Sequence, residues 1–98
     1  MVEVSNKQLD KYAKSKFLMI KLKTPHTARQ LFNKYKLFVA ESKSDYEDEI
    51  FYNDDLRSRC GYVEDESTLE FEPRYYASIY PKEFKRLIEN AKSVTISN

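Results

Sequence analysis

Apolar positions recur along this chain at spacings that divide it into short elements. Leu9, Tyr12 and Ala13 fall on one side of a helical wheel and Lys7, Lys11 and Lys14 on the other, which predicts an amphipathic helix near the N-terminus. Its start is marked by Ser5 and Gln8 in capping-box spacing, with Val4 placed to pack on Leu9. Phe17 to Lys23 reads as a strand, apolar on both sides at first and then alternating. Thr24 and Pro25 read as cap and first position of a second helix, whose buried face is Ala28, Leu31, Phe32 and Tyr35.

A strand is expected from Leu37 to about Glu41. The polar, acidic run 42–49 reads as a loop, followed by a short strand Ile50, Phe51, Tyr52 that ends at a turn, Asn53-Asp54-Asp55. Gly61 to Val63 reads as another short strand. Thr68 to Glu72 alternates as a half-buried one, with Pro73 ending it or placing it at an edge. Tyr75 to Tyr80 reads as an extended arm or strand, in which Tyr76 and Tyr80 share a face and Tyr75 takes the other. Pro81 opens a last helix with Glu83 in its first turn and Phe84, Leu87, Ile88 and Ala91 as its stripe, and Val94 to Ile96 closes the chain as a strand.

After the first helix the order is therefore β-α-β-β-β-α-β, without repeats or a linker. The class is α+β: one small domain over residues 1–98, an antiparallel or mixed sheet packed against two helices, as in split β-α-β arrangements. A chain of 98 residues suffices for one core, and fourteen aromatics, eight Tyr and six Phe, supply its large side chains.

Composition narrows the chemistry. Gly61 is the single glycine, so loops in which several glycines let backbone N–H groups cradle a phosphate are excluded, and no cofactor is expected. The single Cys60 cannot form an intramolecular disulfide, and the longest apolar run, Phe17 to Ile20, is far short of a membrane span. No signal-peptide pattern precedes it, and the expected setting is soluble and cytoplasmic, with no membrane partner. The Lys, Asn and Tyr usage with so little Gly resembles that of small proteins of viruses and mobile elements, which would place it in a host cell's cytoplasm.

Charge is sorted into blocks. Residues 1–44 carry a net +7, residues 45–72 a net −9 and residues 73–98 a net +3, within a whole chain of +1. Such sorting can present one basic and one acidic surface, each steering a partner of opposite sign. In the acidic block, Asp45, Glu47, Asp48, Glu49, Asp54 and Asp55 surround Tyr46, Phe51 and Tyr52, and aromatics inside a polar rim are a common way to build a protein interface. A solvated loop is the ordinary reading of such a run. The same acids have oxygen enough for Mg²⁺ or Ca²⁺, but their spacing lacks the alternation and glycine of a Ca²⁺ loop, and no metal is expected.

The leading expectation is a non-enzymatic protein that regulates or inhibits a macromolecular partner with a basic surface, through residues 45–72. The alternative is nucleic-acid binding through Lys7, Lys11, Lys14, Lys21 and Lys23, with Tyr12 or Phe17 for stacking. Residues 59–63, Arg-Cys-Gly-Tyr-Val, share only Gly-Tyr-Val with the strand motif of RNA-binding sheets. The opposed blocks also allow a symmetric homodimer. An enzyme is the least supported class: His26 has no neighbouring group in sequence to orient it, and one Cys with one His fills no structural zinc site.

Overall fold

The computed structural model describes residues 5–52, 60–65 and 67–97, with 49–52 as backbone only. Helix α1 (Asn6–Ala13) leads into strand β1 (Phe17–Leu22), and helices α2 (Ala28–Tyr35) and α3 (Lys43–Tyr52) precede the hairpin of β2 (Gly61–Val63) and β3 (Thr68–Phe71). Helices α4 (Pro73–Ile79) and α5 (Pro81–Glu89) then lead to β4 (Ala91–Ser97). The strands form one sheet in the order β2-β3-β1-β4, with every neighbouring pair antiparallel. β1 and β2 run parallel with β3 between them, and β3 and β4 run parallel with β1 between them. The fold is thus α+β, two interlocked split β-α-β units.

Alternation along the strands decides which face is the core. Leu18 and Ile20 of β1 stand opposite Phe71 and Leu69 of β3, and all four are buried. Leu31 and Tyr35 of α2, Tyr76 and Ala77 of α4, and Phe84, Leu87 and Ile88 of α5 close over them, with Leu9, Tyr12 and Ala13 of α1 at the margin. Polar bonds stitch this layer together. The Tyr76 hydroxyl donates to the Tyr35 carbonyl at 2.6 Å, and Asn90 Nδ2 donates to the Tyr35 hydroxyl at 3.0 Å, joining α2, α4 and the α5–β4 turn.

Several sequence expectations hold and others are corrected. Ser5 caps α1, its hydroxyl accepting from Gln8 N at 3.2 Å, while the Val4 staple lies outside the described residues. Helix α2 starts three residues later than Thr24-Pro25 suggests. Thr27 and Gln30 form a reciprocal capping box at 3.1 and 2.9 Å, which satisfies two N–H groups where Thr24 would satisfy one. Residues 37–41 are not a regular strand. Only Ala40 bridges, in parallel, to Tyr62.

The expected loop 42–49 and strand 50–52 are instead the helix α3. The Ser42 hydroxyl accepts from Asp45 N at 3.1 Å, and Asp45 in the first turn complements the positive helix end. The expected strand or arm Tyr75–Tyr80 is helix α4. Pro73 ends β3 as anticipated, but it also occupies the first position of α4, and Pro73, Tyr76 and Ala77 form its buried stripe. Ala91 belongs to β4 and not to the preceding helix, and β4 is longer than the expected Val94 to Ile96. The turn Asn53-Asp54-Asp55 lies outside the described residues. No helix among the described residues is long and apolar enough to cross a membrane.

Candidate functional site: an acidic aromatic surface on the open face

The residues between the core positions point to the other face of the sheet. There Tyr62, Glu70, Met19 and Thr95 form one row across all four strands, and Thr68, Lys21 and Ser93 form a second. Helix α3 lies over the β2 end of this face, where the rings of Tyr46 and Tyr62 are 5.5 Å apart and tilted by 44°. Tyr62 is only 6% exposed although it points away from the core, so it anchors α3. Its hydroxyl donates to Glu70 Oε2.

Carboxylates surround the tyrosine pair. Burial raises the ionisation of the Tyr62 phenol above its ordinary range, the bond to Glu70 adds to this, and the charges of Glu70, Glu64 and Glu47 raise it further. Tyr46 is also raised, by burial and then by Glu72. The site is thus an aromatic pair within the electrostatic reach of Glu47, Glu64, Glu70 and Glu72. Burial pushes the half-buried Cys60 thiol up to about 12, so it stays protonated near neutrality and is not an activated nucleophile.

Gly61 makes this packing geometry workable. It faces Phe71 across the β2–β3 pair, and a β-carbon there would press on the Glu70 carbonyl oxygen and on Phe71 Cα and Cβ. The hairpin is closed by Asp65, whose Oδ1 accepts from the N–H groups of Ser67 and Thr68, each at 2.8 Å. These backbone bonds hold the Asp65 carboxyl below its usual range. Glu64 beside it donates its N–H to the Thr68 carbonyl at 2.8 Å.

Of the residues expected to bind protein, the structure sets Tyr46 in the ring contact, with exposed Asp45, Glu47 and Asp48 on the same helix. Glu49, Phe51 and Tyr52 lie on the backbone of α3, and Asp54 and Asp55 lie outside the described residues. Tyr62, Glu64, Glu70 and Glu72 were missed as site residues. The alternation of Thr68 to Glu72 was the available signal, since it puts Glu70 on the face opposite Leu69 and Phe71.

The lysines are not brought onto one surface. Lys7, Lys11 and Lys14 are exposed on α1, which packs on the core side of the sheet, whereas Lys21 projects from β1 on the open face and Lys23 follows that strand. On the open face the two central strands offer Phe17 as their one aromatic, with Glu70 beside Met19. That is a poor stacking platform for bases.

His26 lines an open cleft of about 610 Å³ with Thr27, Gln30, Glu41, Glu64 and Asp65, and its Nδ1 lies 2.9 Å from the Thr24 carbonyl oxygen. A carbonyl oxygen can only accept, so Nδ1 is the donor of this hydrogen bond. Among the described residues no three His, Cys, Asp or Glu side chains are grouped so as to hold a metal ion. Comparison of the chain with protein-family models, with curated proteins and with solved structures finds no match.

Proposed function

We propose that this chain is a non-enzymatic binding protein that regulates or inhibits a macromolecular partner, a protein with a basic surface, through the acidic aromatic surface of α3 and the β2–β3 hairpin. The observation that carries this reading is the contact of Tyr46 with Tyr62 amid Glu47, Glu64, Glu70 and Glu72. The Tyr62 hydroxyl holds the Glu70 carboxylate, and the Tyr46–Tyr62 contact sets α3, which carries Glu47, against the hairpin, so a partner would meet charges on packed elements. Clustered carboxylates of one sign speed association with a basic surface and repel nucleic acid. The protonated Cys60 thiol and the dispersed lysines add to the support.

The test is capture of partners from a lysate of the producing cell, before and after nuclease treatment, by the wild-type chain and by Glu47→Lys/Glu64→Lys/Glu72→Lys. The expected result is one basic protein retained through nuclease treatment and lost with the variant, whose far-UV circular dichroism is unchanged. Retention by the variant, or loss on nuclease treatment, overturns the reading in favour of another surface or of nucleic acid.

A further inference from the structure

The two edges of the sheet end differently. β2 is three residues long, and the chain at 38–40 runs along it: Ala40 N donates to the Gly61 carbonyl at 2.7 Å, Val63 N to the Ala40 carbonyl at 2.9 Å, and Cys60 N to the Phe38 carbonyl at 3.0 Å. β4 is seven residues long and pairs with β1 on one side, and among the described residues no element lies along its other side. An edge of that length presents a row of N–H and C=O groups ready to pair with another strand. Proteins usually blunt such edges with proline, bulges, charges or short strands. Ala91–Ser97 contains no Pro and no Gly; its register against β1 shifts at Lys92, so the strand's one bulge and its one charge fall together at its start, and Ser93–Ser97 is left regular and uncharged.

We infer that β4 pairs antiparallel with β4 of a second copy of this chain about a two-fold axis at Thr95, joining two sheets into one of eight strands. The occupant is identified by the pattern of the strand itself. With Thr95 opposite Thr95, Val94 stands opposite Ile96 and Ser93 opposite Ser97. Apolar β-branched pairs then fall on the helix-covered face and hydroxyl pairs on the open face. Centring the axis on Val94 sets Lys92 against Ile96. A one-residue slip opposes apolar and hydroxyl side chains throughout. Val94 and Ile96, half-buried at the edge of the core, are covered by the pairing, and the two-fold axis closes the assembly at two copies. No opposite charges are involved, so this dimer is distinct from one held by the acidic and basic blocks, and it leaves the α3 surface at the far edge free.

The test is the mass of the full chain in solution by light scattering, at rising concentration, in low and in high salt. The expected value is twice the 11.7 kDa of one chain, kept in high salt. Thr95→Lys sets two like charges face to face at the axis on an exposed position, and is expected to give the monomer mass with unchanged circular dichroism. In a Cys60→Ser background, Thr95→Cys is expected to form a linked dimer on oxidation. Directly opposed residues in an antiparallel pair have Cα atoms about 4.5–5.5 Å apart, within disulfide range. Lys92→Cys is expected to stay unlinked. A monomer at every concentration, a dimer dissolved by salt, a dimer indifferent to Thr95→Lys, or linkage at position 92 instead of 95 overturns the inference.

Discussion

On the helix-covered face of the sheet, Leu18, Ile20, Leu69 and Phe71 are sealed from solvent, while their immediate neighbours Met19, Lys21, Thr68 and Glu70 stand half-buried or exposed on the face that carries α3. The same strands therefore do two jobs at alternate positions. One face accounts for most of the stability, because apolar burial is the dominant favourable term in folding. The other is free to carry charge, provided something fixes its residues in place, and the Tyr46–Tyr62 contact with the Tyr62–Glu70 hydrogen bond does so at the β2 end. The division teaches that core burial and surface charge are set independently here, at alternate residues of the same strand.

The largest expected effect uses two consecutive residues. Phe71→Ala, at a fully buried ring, is expected to lose about 3–5 kcal/mol of unfolding free energy in urea, whereas Glu70→Gln is expected to stay within about 1 kcal/mol of wild type. Equal losses at both positions would end the distinction between the faces. Gly61→Ala comes next, at about 1–3 kcal/mol, because the added methyl must displace the β3 backbone and not merely a side chain. A melting temperature unchanged by this substitution would show that the two strands are not so closely apposed.

The third expectation concerns alkaline pH. The phenols of Tyr46, Tyr62 and Tyr76 ionise in the folded protein above their ordinary value near 10, mainly through burial. The folded state holds these protons more tightly than the unfolded one, so their contribution is complete below pH 10 and is lost as pH rises beyond it. Chemical denaturation between pH 8 and 11 should therefore show falling stability, less steeply in Tyr62→Phe and in Tyr76→Phe. Unfolding free energy that holds steady or rises over this range would contradict the assignment. The smallest effect sharpens the helical layer. Lys36 ends α2 in the left-handed conformation at φ 58°, so Lys36→Gly should gain about 0.5 kcal/mol in the same assay, the relief of backbone strain being partly offset by loss of the Lys36 ammonium over the Phe32 ring.

Much of this fold was legible because periodicity and burial agree. The stripes of α1 and α5 and the alternation of β3 rest on residues that do enter or border the core, and in α2 so do Ala28, Leu31 and Tyr35. Phe32, expected on that buried face, is 44% exposed instead, its ring set edge-on against Phe38. Helix α4 was hidden because its tyrosines and isoleucine favour strands. The grouping of Tyr76 with Tyr80 survives the error, since positions four apart share a face in a strand and in a helix alike. Helix α3 was hidden because it lacks an apolar stripe. Its signal was electrostatic and local, Ser42 three residues before Asp45, a cap followed by acids. The site was legible as a charged block but not as a geometry. Nothing in the order of residues states that Tyr46 meets Tyr62, because that contact depends on α3 crossing to the face away from the other helices.

The most direct measurement is an amide NMR titration of the labelled chain with its captured partner. The account predicts shifts concentrated at Tyr46, Glu47, Tyr62, Glu64, Glu70 and Glu72, with α1 silent. Shifts centred on Lys7, Lys11 and Lys14, with the α3 surface unmoved, would contradict it.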